Sequence, residues 1–184
     1  ADFPELRLLV LARNSGQSAA LGAAFRAARG AIFVTLDADG QNDPADIPAL
    51  VARLDACDLC CGYRARRQDV WSKRIGSRLA NAIRNRALRE TIRDTGCTLK
   101  AFRAEWTRSL PMQFRGMHRF LPALMAMAGA RIEEIPVNHR PRAAGTSKYT
   151  NWGRLKETLW DLGAVRWMQK RYRPIQAEET GWKR

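Results

Sequence analysis

The sequence predicts an α/β protein: a mostly parallel sheet with helices packed on it. Two observations carry this. Apolar runs of strand length alternate with helical segments along the first third of the chain, and the connections between them are short and rich in turn-forming residues. At 184 residues the chain has the size of one domain and can bury a core without disulfide staples.

The elements follow in order. Leu6–Ala12 is an apolar run between Pro4 and Arg13-Asn14-Ser15-Gly16, and reads as a first strand. Ser18–Ala28 is Ala-rich with Leu21 and Phe25 four apart, a helix, with Gly30 as its expected C-terminal cap. Ala31–Leu36 is a second strand. Asp46–Leu54 sets Ile47, Leu50, Val51 and Leu54 on one helical face with Pro48 in the first turn. Asp58–Cys61 is a third, short buried strand, which also accounts for Cys57, Cys60 and Cys61 better than zinc does, because no second ligand pair follows.

The pattern then changes. Trp71–Leu88 lines up Trp71, Ile75, Leu79, Ile83 and Leu88 on one side and surrounds them with Lys73, Arg74, Arg78, Arg84, Arg86 and Arg89, a basic amphipathic helix. Arg131–Val137 reads as a further strand, His139–Tyr149 as a loop, and Trp152–Met168 as a last helix carrying Trp152, Trp160 and Trp167. The domain is expected to cover residues 1–168, with a polar tail over 169–184.

Composition narrows the function classes. The net charge is +14, unevenly spread: residues 1–61 are net acidic, whereas residues 62–119 carry 15 basic side chains against 4 acidic ones. Such a chain meets something anionic, either phosphates, a lipid surface or nucleic acid. Nothing approaches the ~18 consecutive apolar residues of a membrane span, and the start has no basic and apolar leader pattern. Four thiols without a disulfide framework fit a reducing compartment, and the chain is expected in the cytoplasm.

Ligands of an open parallel sheet bind beyond the carboxyl ends of its strands. Two segments stand there. Asn14-Ser-Gly-Gln opens a helix, whose unpaired N–H groups favour anions. Asp37-Ala38-Asp39-Gly40-Gln41 follows the second strand and offers carboxylate and amide oxygens suited to Mg²⁺ or Mn²⁺. The competing reading of Asp37 and Asp39 is a plain turn.

Taken together, Arg13-Asn-x-Gly-Gln, Leu36-Asp-Ala-Asp-Gly-Gln-Asn-Asp-Pro44, Gly62-Tyr-Arg64, Asp94-x-Gly-Cys-Thr-Leu-Lys-Ala-Phe-Arg103, Met117-His-Arg-Phe-Leu-Pro122 and Val137-x-His-Arg-Pro-Arg-x-x-Gly-x-Ser-Lys-Tyr149 resemble family 2 glycosyltransferases. The subgroup is that of dolichol-phosphate mannosyltransferase and bacterial polyprenyl-phosphate glycosyltransferases. The resemblance implies a GT-A (Rossmann-like) fold, a nucleotide-sugar donor, a divalent metal, and a polyprenyl phosphate acceptor at the cytoplasmic face of the membrane. It implies metal contacts at Asp37, Asp39 and Gln41, and donor contacts at Asn14, Asp37, Ala38, Arg142 and Lys148. It further implies acceptor-phosphate contacts at Arg64, Arg78 and Ser147, with Asp39 and Asp94 as catalytic carboxylates. Ser147 also belongs to the segment, with Arg142 and Lys148, that closes over the donor phosphates.

Asp94 has two readings: a base, or a partner of a nearby arginine. The second has weight because a prenyl phosphate, with a second pKa near ~6, is already ionised and needs orientation more than deprotonation. The basic helix also has two, a lipid-facing element with Lys73, Arg74 and Arg84 at anionic headgroups, or an ordinary core-facing stripe. His118 and His139 are expected to be structural or to touch substrate. The family's opening segments, Pro-x-Tyr-Asn-Glu and Asp-Asp-Gly-Ser, are absent, so the chain is expected to lack the first strands of the fold. That leaves a non-catalytic remnant as one alternative. A basic nucleic-acid module is another, disfavoured because no nucleic-acid motif or aromatic interleaving accompanies the charge.

Overall fold

In the computed structural model the described residues are 3–65, 71–140 and 151–174, the side chains of 71–75, 77, 78 and 151–156 excepted. They form a four-stranded mixed sheet with helices on both faces. Its strands are β1 (Ile32–Thr35), β2 (Leu59–Arg64), β3 (Lys100–Arg103) and β4 (Ile132–Val137), in the order β1-β3-β2-β4. The helices are α1 (Gly16–Ala27), α2 (Ile47–Arg53), α3 (Trp71–Leu88), α4 (Leu121–Met127) and α5 (Asn151–Arg171).

β3 pairs antiparallel with both β1 and β2, and β2 pairs parallel with β4. β1, β2 and β4 therefore all run the same way, and β3 alone opposes them. Between the second and third expected strands lies β3, a strand not expected from the sequence, and it makes two of the three pairings antiparallel. Lys100 and Arg103 at its ends hide it from a pattern search, yet Lys100 is buried, with its ammonium on the Cys97 carbonyl.

The pleat sorts the core. Leu59, Cys61 and Phe102 point into one cluster with Phe25 of α1, Phe120, Leu124 of α4 and Val165 of α5. Cys60, Ala101 and Leu99 point into the other with Leu50 of α2, Leu54 just past its end, and Val137. This is the two-residue alternation of a sheet covered on both faces. Phe102 meets Phe25 edge-on at 5.6 Å between ring centroids, and fully burying a side chain of this size contributes roughly 1.5–3 kcal/mol. On α1, Gly22 lies so close to Met112 that a Cβ would stand 2.7 Å from that side chain, which lets the helix settle onto the cluster.

Three further expectations change. Leu6–Ala12 forms no strand; Leu8 and Val10 are 84% and 80% exposed. A strand needs a partner's backbone groups, and among the described residues none pairs with this run, whose Arg7 instead donates to the Ala27 carbonyl at 2.8 Å. Gly30 does not cap α1, because Ala28 turns extended directly and closes the helix by donating to the Ala24 carbonyl. On α3, Leu88 is in the core while Leu79 and Ile83 are exposed, so its apolar residues do not form one buried stripe. Arg84, expected at headgroups, is buried one turn before Leu88, 3.0 Å from Glu90 and over the Phe120 ring. Burial pushes the Glu90 carboxyl up, and Arg84 opposes that rise.

Candidate active site

Because β1, β2 and β4 run the same way, their carboxyl ends share one end of the sheet, where the chain also enters β3. The register sets Thr35, Lys100 and Cys61 side by side, and Arg64 beside Val137. Four segments meet there: Asp37–Gln41 after β1, Arg64 at the end of β2, Asp94–Thr98 before β3, and Asn138–Arg140 after β4.

The segment after β1 is a tight acidic turn. Asp39 Oδ1 accepts the Gln41 backbone N–H at 3.1 Å across Gly40, whose φ of +77° favours glycine. Asp37 Oδ1 faces the Gln17 amide of α1's first turn at 3.5 Å. That turn starts at Gly16, held in a left-handed conformation and bonded to Asn14 Oδ1 at 3.1 Å. Asn14 and Ala38 are exposed, and Asp37, Asp39 and Gln41 are half-buried.

The residues after the turn are stitched to the exit of β4. The Gln41 carbonyl accepts from the Arg140 N–H at 3.0 Å, and the Gln41 amide stands 3.5 Å from His139 Nε2. Asp43 pairs with Arg140 at 2.7 Å, and Asp46 accepts both the backbone and the side-chain amide of Asn138. Asn42 donates to Thr98 at 2.9 Å, and Thr35 donates to the Thr98 carbonyl at 2.8 Å, which ties the acidic turn to the loop before β3.

At the neighbouring position, Arg64 and Asp94 form a two-pronged ion pair, Nε–Oδ2 at 2.6 Å and Nη2–Oδ1 at 2.9 Å. His118 lies elsewhere. Its ring is 2.8 Å from the hydroxyl of buried Ser18, which anchors the 3-10 turn Met117–Phe120 against α1. That turn begins at Gly116, where φ is +86° and a Cβ would collide with Asp161 of α5.

Among the described residues no three His, Cys, Asp or Glu side chains cluster as a complete metal cage. The donor set after β1 is nonetheless all oxygen, from two carboxylates and an amide on one short turn. It fits a hard divalent cation that takes its remaining ligands from a phosphorylated substrate and water.

The structure thus brings Asp37, Asp39, Gln41, Arg64 and Asp94 to one end of the sheet, with Asn14 near by in the chain before α1. Arg78 lies on α3, where its side chain is outside the described residues, as are Arg142, Ser147 and Lys148 in residues 141–150. The chain enters that last segment from Arg140, the residue bonded to Gln41. Sequence reasoning gave no role to Gln17, Asn42 and Thr98, which brace the acidic turn, or to Asn138, which holds Asp46 beyond it. Gln17, Asn42 and Thr98 each stand inside one of the motif segments; Asn138 occupies an unspecified position of its motif.

Residues 1–110 match the family described as Glycosyl transferase family 2. The chain is also 37% identical over 174 residues to dodecaprenyl-phosphate galacturonate synthase of Rhizobium johnstonii. That match takes in 92% of this chain and 51% of the relative, so the chain spans about half the relative's length.

Proposed function

Because the chain belongs to family 2 of the glycosyltransferases, we propose that it transfers a sugar from a nucleotide-sugar donor to a polyprenyl phosphate, with Mg²⁺ or Mn²⁺, at the cytoplasmic face of the membrane. The observation that carries this reading is the meeting of the oxygen-rich turn Asp37–Gln41 with the Arg64–Asp94 pair at one end of the sheet. A donor diphosphate needs a cation held by carboxylates, and an acceptor phosphate needs a directed arginine. The name of the relative points to the same acceptor class, and makes a galacturonate donor the first to try.

A divalent ion, when bound by Asp37 and Asp39 with Gln41, neutralises the charge of the diphosphate leaving group. The chain's own groups do the rest. Asn14 and the backbone at Ala38 line the donor side, and Arg142 and Lys148 supply further cations to the diphosphate. Arg64, Arg78 and Ser147 hold the acceptor phosphate, which attacks the anomeric carbon as the bond to the diphosphate breaks. The nucleophile is already ionised, so orientation is the main task.

Membrane association is supported by exposed apolar side chains on two packed helices. Leu79 and Ile83 of α3, and Leu159, Trp160 and Trp167 of α5, face outward, with Lys170 and Arg171 in α5's last turn. Indole rings beside cations suit the headgroup level of an anionic bilayer. Among the described residues no helix is long and apolar enough to cross a membrane.

One experiment tests both parts. The chain is mixed with anionic vesicles carrying a polyprenyl phosphate and with labelled nucleotide-sugars, and the vesicles are sedimented. The chain and the label are expected in the pellet, with no labelled lipid when the acceptor is a polyprenol without its phosphate. A chain that stays in the supernatant refutes the membrane reading, and label absent for every donor refutes the transfer reading.

A further inference from the structure

Asp94 has a better-defined task than proton abstraction. Among the described residues, each of its oxygens accepts two hydrogen bonds. Oδ2 takes Arg64 Nε at 2.6 Å and the Arg64 backbone N–H at 3.2 Å, while Oδ1 takes Arg64 Nη2 at 2.9 Å and the Gly96 N–H at 3.1 Å. A carboxylate offers about four acceptor positions, and Arg64 alone supplies three of these four donors. The same group holds both the root and the tip of one arginine, and it is buried, 8% exposed.

The loop that carries it is itself fastened on three sides. Asn81 of α3 donates to the carbonyls of Ile92 and Arg93 and accepts from the Thr95 hydroxyl, and Asn85 also donates to Ile92. The Arg93 N–H bonds both oxygens of Glu134 on β4, and its guanidinium lies over the Tyr63 ring of β2. Gly96 completes the arrangement: a Cβ there would stand 2.9 Å from Arg64 Nη2 and would push the guanidinium from its place.

We propose that Asp94, with Gly96, is a positioning device for Arg64 that sets its guanidinium toward the acceptor phosphate before the lipid arrives. An arginine side chain loses much rotamer freedom when it grips a ligand, and a bidentate anchor removes that cost from binding. The inference rests on the reading of Arg64 as an acceptor-phosphate residue.

The test uses the whole chain and a short-chain prenyl phosphate in solution, measuring its affinity, its KM and kcat for Asp94→Asn, Gly96→Ala, Arg64→Ala and the Asp94→Asn/Arg64→Ala pair. Asp94→Asn is expected to weaken acceptor binding about tenfold, the scale of one charge-assisted hydrogen bond, with kcat at saturating acceptor within about twofold. Gly96→Ala, which displaces the guanidinium but keeps the carboxylate, is expected to weaken binding about threefold, and it serves if Asp94→Asn fails to fold. Adding Asp94→Asn to Arg64→Ala should cost nothing more, because the device has lost its object. A large fall in kcat with unchanged acceptor affinity makes Asp94 a base and overturns the proposal, as does an equal loss with or without Arg64. If Arg64→Ala alone leaves acceptor affinity intact, the reading of Arg64 fails first, and that outcome is visible in the single variant.

Discussion

Two sides of the sheet contrast sharply. At β2 and β3, Leu59, Cys60, Cys61, Ala101 and Phe102 are wholly buried between α2 on one face and α1, α4 and α5 on the other. At β1 and in the chain before α1, Ile32, Leu36 and the run Leu6–Leu11 hold side chains of the same kind in the open. The apolar character of the two regions is alike, and what differs is the neighbours: β2 is paired on both edges, β1 on one, and residues 6–11 on neither among the described residues. An apolar run states what a segment would bury; only a partner turns it into a strand. The contrast extends to the site, since the acidic turn hangs from the sparsely paired β1 while Arg64 and Asp94 stand on the closed side.

Paired substitutions break this comparison most severely. Leu59→Ala or Phe102→Ala should lower unfolding free energy by about 3–5 kcal/mol, whereas Leu8→Ala or Val10→Ala should stay within ~0.5 kcal/mol in the same denaturant titration. Equal losses on both sides would mean that residues 6–11 are packed after all.

A smaller effect sharpens the contrast through β2. Burial pushes the thiols of Cys60 and Cys61 from 9.0 to about 12. A raised folded-state value means the folded protein holds protons that the unfolded chain releases. The contribution is thus complete below pH 9 and lost as pH rises through that window toward 12. Melting temperature should fall above pH 9, by the equivalent of at most about 1.4 kcal/mol per thiol per pH unit, with a shallower slope in a Cys60→Ala/Cys61→Ala chain. Identical slopes in the two chains would count against burial of the thiols.

The same contrast explains what was legible. α3 runs over the expected Trp71–Leu88, and β4 begins one residue inside the expected Arg131–Val137, because their periodicities are long and self-contained. β3 was illegible because Lys100 and Arg103 find partners only in the fold, the Cys97 and Leu54 carbonyls. Leu6–Ala12 was over-read for the converse reason. At the site, Asp37, Asp39 and Gln41 lie in one short motif after a strand and could be read directly. The Arg64–Asp94 pair joins positions 30 residues apart, and no local pattern records which arginine a buried aspartate will meet.

The central claim, transfer that depends on the acidic turn, is tested most directly by comparing the wild-type chain with Asp39→Ala. The rate measured is that of sugar incorporation into polyprenyl phosphate. Loss of a group that holds the charge-neutralising cation is expected to lower the rate by roughly 10²–10³-fold or more, with the melting temperature little changed because Asp39 is only half-buried. Transfer at the wild-type rate in the Asp39→Ala chain would contradict the account.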